Sequence, residues 1–401
     1  MHATGSCAAT RGGTEMEVYL VGGAVRDKLL GLPVRERDWV VVGATPQQLL
    51  DLGYTAVGKD FPVFLHPQTR EEYALARTER KTAPGYTGFA VHADPGITLE
   101  EDLLRRDLTI NAMAESSDGR LIDPYGGRKD LDNGLLCHVL PAFAEDPVRI
   151  LRVARFAACL ARHGFHVAHG TNKLMQEMVD NGEVDHLVPE RVWAELNKAL
   201  DCDMPAKYFS VLAGCGALGK LFPELAGLLE DAPASTHGQA RLLLPVLDSA
   251  TTIRRDVTIR FAALVCDIDN GGTDGFSMAG LDAFCTRLRV PNHCRDLAGM
   301  ALQHRAQTHR SAGLSATELL DLLTSLDAFR RGERLADFIA VCAAEAHSTD
   351  PASHDYPPAD LLERAWQAAA AAKPDTHGKS GPEIGDALRT QRIAAIEEIL
   401  M

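Results

Sequence analysis

The apolar positions change period about a third of the way along the chain. Up to about residue 140 they come in short runs bounded by Gly, Pro and charged residues, the signature of strands. Val18–Val21 and Asp38–Val42 read as strands, with a helical stretch, Ala24–Leu30, between them that stops at Gly31. Val63–Leu65, Tyr73–Ala76 and Leu121–Ile122 are further strand candidates, the last running into the turn Asp123-Pro124-Tyr125-Gly126-Gly127. From about Asp146 apolar residues recur every three or four positions, the helical period, and Pro147 stands where a helix accepts proline, in its first turn. Residues 190–345 read as amphipathic helices broken by Gly and Pro. Residues 348–382 are rich in Pro, His and Asp and loosely organised, with one Ala-rich helix, Leu361–Ala372. No repeat of fixed period is present. The expected architecture is an α/β head, a small mixed sheet with flanking helices, followed by all-α segments.

Composition changes this picture little. A length of 401 residues with 46% hydrophobic content is enough for more than one core. No apolar run reaches the roughly 18 to 20 residues of a membrane helix. Residues 1–15 are rich in Gly, Ala and Thr without the basic-then-apolar order of a secretory signal, so they are expected to be a disordered extension. Nine cysteines, an odd number with no C-x-x-C pair, fit reduced thiols in a cytoplasmic protein. The net charge of −14 argues at first against a nucleic-acid partner. Its distribution removes the objection. Met16 to Phe165 balance to −3, whereas residues 166–401 carry −11, and arginines cluster in the first part. Phosphate contacts depend on such local clusters.

Leu20-Val21-Gly22-Gly23-Ala24-Val25-Arg26-Asp27 puts two glycines between a strand and a helix. Glycine lets a backbone approach phosphate closely, and a helix N-terminus offers free N–H groups to an anion. Arg26, one turn into the helix, is expected to reach the same anion. Gly-Gly alone is more simply an ordinary strand–helix turn. The segment Arg35-Glu36-Arg37-Asp38-Trp39 shifts the balance. Residues i and i+2 of a strand share a face, so Glu36 and Asp38 offer two carboxylates suited to holding Mg²⁺ for displacement at phosphorus. A solvated strand of alternating charge is the bland alternative, but a strand of this kind so soon after a Gly-Gly–helix unit weakens it.

Gly22-Gly23-x-x-Arg26, then acid-x-Asp38 followed by Trp39-Val40-Val41-Val42-Gly43, resembles the polymerase-β-type nucleotidyltransferases and, more narrowly, the bacterial class of CCA-adding enzymes. The resemblance runs from Met16 through nearly the whole chain and is dense to about residue 225. It implies that Gly23 and Arg26 bind the triphosphate of ATP or CTP. A second matching block is Glu101-Asp102-Leu103-Leu104-Arg105-Arg106-Asp107-Leu108-Thr109-Ile110-Asn111-Ala112. Read alone it is a surface of ion pairs; the resemblance makes Arg106 a nucleotide contact and Asp107 the group that orients it. The third block is Glu145-Asp146-Pro147-Val148-Arg149-Ile150-Leu151-Arg152-Val153-Ala154-Arg155-Phe156. A carboxylate accepts from the exocyclic amino group of cytosine or adenine, and a guanidinium donates to ring acceptors. The resemblance implies that Glu145, Asp146 and Arg149 form a protein template choosing C and A, with Arg152 and Arg155 meeting phosphates. Without the other blocks, a helix laced with ion pairs is the favoured reading of this one.

Two more segments enter through the resemblance. Ala76 to about Ile97, full of Gly, Pro and Thr, is expected to be a long mobile loop of the kind needed to switch from C to A addition. Relatives often carry an HD phosphohydrolase domain with an adjacent His-Asp among its metal ligands. Here the matching segment reads Val265-Cys266-Asp267-Ile268, with Cys in place of His, and only Asp267, His237 and His304 remain as remnants. The only His-Asp pair, His354-Asp355, lies in a Pro-rich stretch. A helical HD-like scaffold without phosphohydrolase activity is expected. The domain plan is an extension (1–15), a catalytic head (16–140), a helical neck (141–225), a degenerate HD-like body (226–345) and a helical tail (346–401).

The implied activity is template-independent addition of C, C and A to the 3′ end of tRNA from CTP and ATP, with Mg²⁺ as cofactor and no membrane partner. The sequence leaves monomer or homodimer open. A bacterial poly(A) polymerase, which shares the head, and a catalytically weak RNA-binding scaffold are the rival readings.

Overall fold

The computed structural model describes residues 16–57, 63–81, 89–139, 142–230, 241–242, 244–271, 276–350, 352, 355–373 and 380–401. The expected N-terminal extension, His237 and His354 lie outside the described residues. The chain divides into two compact units, one to Val188 together with Gly214–Lys220, the other Pro189–Ala213 with Leu221–Met401.

The first unit is built on β1 (Glu17–Val21), α1 (Gly23–Leu29), β2 (Asp38–Val42), α2 (Pro46–Asp51), β3 (Thr55–Val57), β4 (Val63–Leu65) and β5 (Glu72–Leu75). A ribbon of β6 (Arg77–Lys81) and β7 (Phe89–Ala93) follows, then α3 (Leu99–Leu104), β8 (Ala114–Glu115), β9 (Leu121–Ile122) and α4 (Gly127–Asp132). The unit goes on with α5 (Val148–Leu160) and α6 (His169–Asp180). The sheet runs in the order β3-β4-β5-β2-β1-β8-β9. Every neighbouring pair is antiparallel except β2 with β5, so the sheet is mixed, as expected.

Central strand β2 explains its own sequence. Val40 packs with Tyr19, Val21, Leu103 and Ala112 on one face, and Val41 with Leu49, Phe64 and Leu75 on the other. A strand covered on both faces is apolar throughout rather than alternating, hence Trp39-Val40-Val41-Val42. The expected strands fall within one residue of the observed ones.

Two local expectations are corrected. Glu36 is not on the strand with Asp38, because β2 starts at Asp38. Its partner β1 ends opposite, with Val21 paired to Asp38, and turns into α1 at Gly22, leaving Glu36 no ladder neighbour. The long loop from Ala76 to Ile97 is instead largely an antiparallel ribbon, Arg77 opposite Ala93 and Lys81 opposite Phe89. Of the Pro and Gly that argued for a loop, Pro84, Gly85 and Gly88 lie outside the described residues, and Pro95 and Gly96 follow β7. Polar Arg77-Thr78-Glu79-Arg80-Lys81 gave no hydrophobic alternation to reveal its strand.

Along the rest of the chain lie α7 (Pro189–Leu200), α8 (Ala206–Gly214), α9 (Ala217–Leu221), α10 (Pro245–Ile253), α11 (Val257–Gly271) and α12 (Met278–Leu288). After them come α13 (Asn292–Thr308), α14 (Ala316–Ser325), α15 (Gly332–Thr349), α16 (Pro357–Ala371) and α17 (Gly381–Leu400). The Ala-rich helix expected at Leu361–Ala372 is α16, begun earlier because Pro357 and Pro358 suit a first turn. Among the described residues no helix is long and apolar enough to cross a membrane.

Asp267 has a structural task in the second unit. It is buried on α11, and the Val246 and Leu247 N–H groups each donate to its carboxylate at 2.9 Å. These are orphan donors of the first turn of α10, whose own N-cap residue, Leu244, has no side-chain acceptor. Burial pushes the Asp267 carboxyl up to about 7, against the lowering effect of those two N–H bonds. An acid whose folded pKa exceeds its unfolded value contributes fully below about pH 4, and the contribution is lost as pH rises through about 7. Asp267→Asn keeps an acceptor and is expected to flatten this slope. Relative to wild type, it should gain on the order of 3 kcal/mol between pH 4 and pH 8, read from denaturation midpoints.

Candidate active site

Because β1 and β2 are antiparallel with Val21 opposite Asp38, the Gly22-Gly23 turn leaves β1 beside that carboxylate. Gly22 has φ of 69° and ψ of −131°, a conformation open to glycine. A Cβ there would stand 2.7 Å from Arg106 Nη1. Gly22 is therefore favoured by its backbone conformation, and a side chain there would also have to displace the Arg106 guanidinium. Gly23, the glycine singled out from the sequence, is freer: its Cβ would meet Arg26 Nη2 at 3.5 Å.

Asp38 and Glu36 are both exposed, and neither side chain makes a hydrogen bond or ion pair among the described residues. Although Asp38 opens to solvent, the surrounding protein raises its carboxyl above the ordinary range; Arg106 opposes the rise and the like charge of Glu36 adds to it. Two uncommitted carboxylates near a guanidinium are a set of hard oxygen donors. Mg²⁺ is commonly held by one or two carboxylates, several waters and substrate phosphates rather than by a full protein cage. The donor pair fits that manner of binding. Among the described residues no group of three or more His, Cys, Asp or Glu is arranged to enclose a metal.

The arginines form a connected system. Arg26 donates to Asp27 Oδ1 from Nε at 2.9 Å and to Asn111 Oδ1 from Nη1 at 2.8 Å. Arg106 donates to Asp102 Oδ2 at 3.3 Å and to the Asn111 carbonyl oxygen at 3.5 Å, and its buried Nε has no partner among the described residues. Burial pulls the Arg106 pKa down, with Asp102 opposing. A buried guanidinium with an unmet donor is a ready contact for a phosphate oxygen.

Asp107 is buried, and its hydrogen bonds go to groups other than Arg106. It accepts from Arg152 Nε at 2.6 Å, from the Leu108 N–H at 2.8 Å and from Asn111 Nδ2 at 3.0 Å. Burial alone would raise its carboxyl, but Arg152 and those donors hold it at about 2. Asp107 thus orients Arg152, where the sequence reading had it orient Arg106.

The comparisons with known proteins bear on this arrangement. A family model described as "Poly A polymerase head domain" matches residues 18–137. A second, "Probable RNA and SrmB- binding site of polymerase A", matches residues 164–229. A "Multifunctional CCA protein" of Thioalkalivibrio sulfidiphilus is 53% identical over 403 residues, covering 96% of this chain and 98% of the relative. One of Nitrosococcus oceani is 51% identical, covering 96% and 98%. The chain belongs to the multifunctional CCA protein family. Solved structures agree in fold. The Bacillus stearothermophilus CCA-adding enzyme in complex with CTP matches with a TM-score of 0.67 at 22% identity, covering 96% of this chain and 89% of that one. The Thermotoga maritima CCA-adding enzyme complexed with tRNA gives 0.61 at 20%, covering 96% and 91%.

Within that family fold, the third block is helical only from Val148, so Glu145 and Asp146 stand before the helix that carries Arg149. Glu145 ends a short 3₁₀ turn, and Asp146 precedes α5 and accepts from the Val148 N–H at 3.0 Å. Arg149 is buried and donates to the carbonyl oxygens of Arg105 at 2.6 Å and Arg106 at 3.2 Å. Its guanidinium thus ties α5 to the arginine segment. Arg152 and Arg155 lie further along α5 with their guanidiniums against the Phe156 ring, at 5.6 and 4.3 Å.

Sequence reasoning missed three members of the site. Asp102, wholly buried, holds Arg105 at 2.8 Å and Arg106 at 3.3 Å; its spacing of three and four from them was a visible helical signal. Asn111, also buried, bridges Arg26 and Asp107, and a lone Asn gives no such signal. Phe156 closes the third block in sequence and was given no role there.

Proposed function

We propose that this chain is a cytoplasmic tRNA nucleotidyltransferase that adds C, C and A to the 3′ end of tRNA without a nucleic-acid template, using CTP and ATP and releasing pyrophosphate. The observation that supports it most is the β1–β2 register, which sets a phosphate-cradling turn, the Arg106 guanidinium and the Asp38 carboxylate side by side. Kinship at 53% identity over nearly the full length supports the choice of reaction.

In this reading Gly22, Gly23, Arg26 and Arg106 receive the triphosphate. Its oxygens satisfy the unpartnered Arg106 Nε and the N–H groups at the start of α1. Asp38 and Glu36 hold Mg²⁺, which when bound supplies charge neutralisation at phosphorus and a more acidic 3′-hydroxyl. These carboxylates and the glycine turn thereby place the tRNA hydroxyl and the α-phosphate within reach of each other. Asp146 accepts from the exocyclic amino group of the base, with Glu145 beside it, and Arg149 completes the selection while fastening α5 to the arginine segment. Arg152 and Arg155 meet phosphates. Asp267 serves the fold of the second unit, and we propose no phosphohydrolase role for it.

The test is nucleotide incorporation on tRNA lacking CCA, with Mg²⁺ and each nucleotide alone and together. Two C residues followed by one A are expected. Homopolymer growth from ATP alone would mean a poly(A) polymerase, and no addition at all would leave an RNA-binding scaffold.

A further inference from the structure

Three guanidiniums of the site share one aromatic ring. The Cζ atoms of Arg26, Arg152 and Arg155 lie 5.2, 5.6 and 4.3 Å from the Phe156 ring centroid. Arg26 comes from α1, while the other two precede Phe156 on α5. Phe156 is itself buried, at 7% exposure. Asp27 and Asn111 orient Arg26, and Asp107 orients Arg152, so these two cations reach the ring already held on another side.

Gathering three cations before their anion arrives is electrostatically unfavourable, and more so away from bulk water. The face of an aromatic ring carries negative quadrupole charge and attracts cations within about 6 Å. A leucine would fill the same apolar space on α5 without supplying that charge.

We propose that Phe156 is a positioning residue for the incoming nucleotide: its π face keeps Arg26, Arg152 and Arg155 assembled, so that the triphosphate meets a ready cationic site. The role rests on the nucleotidyltransferase reading above and acts through the arginines, without contact between the ring and substrate.

Progressive ring fluorination tests it, because it drains the quadrupole while nearly preserving shape. Phe156 is replaced in the full chain by 4-fluoro-, 3,5-difluoro- and 3,4,5-trifluorophenylalanine, and the Kd for CTP is measured directly alongside KM and kcat for addition to tRNA. Kd and KM are expected to rise stepwise, by about tenfold in total for three cation–ring pairs of ordinary strength. Over the series kcat should change less than about twofold and Tm should stay level. Phe156→Leu should weaken CTP binding at least as much as the trifluoro ring. A flat Kd across the series, or a fall in kcat with Kd unchanged, overturns the proposal and leaves the ring a packing element. If the unsubstituted protein adds nothing to tRNA while CTP Kd still climbs with fluorination, the assigned reaction fails and the positioning role stands.

Discussion

Asp38→Ala is expected to abolish nucleotide addition, lowering kcat by about 10³-fold or more, with CTP binding and thermal stability nearly unchanged. The combination follows from the position of the side chain. Asp38 is exposed at the first residue of β2 and its side chain makes no hydrogen bond or ion pair among the described residues, so its removal opens no cavity and orphans no donor. Surface substitutions of that kind usually change stability by less than about 0.5 kcal/mol. The triphosphate contacts, Arg26 and Arg106, are oriented by Asp27, Asn111 and Asp102 rather than by Asp38. What is lost is the fixed carboxylate at the reacting phosphorus. Metal-assisted stabilisation of the developing charge is worth several kcal/mol, and each 1.36 kcal/mol is about tenfold in rate.

Glu36 should behave differently. It lies before the strand without a ladder partner, so its backbone can adjust to side-chain length. Glu36→Asp is accordingly expected to retain addition at wild-type rate or above. Single-turnover rates with tRNA ending in C separate the two variants. A Glu36→Asp enzyme as dead as Asp38→Ala would show that the site is built around the longer acid.

The contrast between Glu36 and Asp38 marks where sequence reading reached its limit. Strand β2 was legible because both its faces are buried, which forces a continuous apolar run whatever the tertiary detail. Asp38 stood out in the sequence through its spacing after the Gly22-Gly23 unit, whereas the antiparallel pairing that sets the turn beside it is visible only in the fold. Where β2 begins depends on where β1 stops offering partners, and no local pattern states that. Asp107 shows the other kind of loss. Its position beside Arg106 in sequence favoured pairing with its neighbour. Its actual partner, Arg152, lies 45 positions on and was available only after α5 docked against the arginine segment through Arg149. Short-range spacing finds Asp102 with Arg105 and Arg106; it cannot find a contact made by the packing of two separate elements.

That docking makes Asp107 the second position where a single change should have a large effect, and there on the fold as well as on catalysis. Asp107→Ala removes the acceptor for Arg152, Asn111 and the Leu108 N–H at one stroke, inside a core where the carboxylate is 5% exposed. Breaking a buried pair on one side costs about 3 to 5 kcal/mol, because the partner charge stays behind. In a unit of this size that corresponds to a fall in Tm of roughly 10 °C. Nucleotide binding should weaken together with stability, since Arg152 loses its orienting bond and Asn111 its link between Asp107 and Arg26.

Acid titration separates the charge from the packing. The Asp107 carboxyl sits at about 2, below its unfolded range, so its stabilisation is present above about pH 4 and lost as pH falls through about 2. Wild type should therefore lose roughly 2 kcal/mol more stability than Asp107→Asn between pH 5 and pH 2. The amide retains an acceptor for the Leu108 N–H and keeps the volume, so it should fold at neutral pH with a smaller loss than alanine. Equal acid sensitivity in wild type and Asp107→Asn would mean that the Arg152 pair contributes nothing as a charge. The weaker nucleotide binding of Asp107→Ala would then have to come from the collapse of the cavity it leaves.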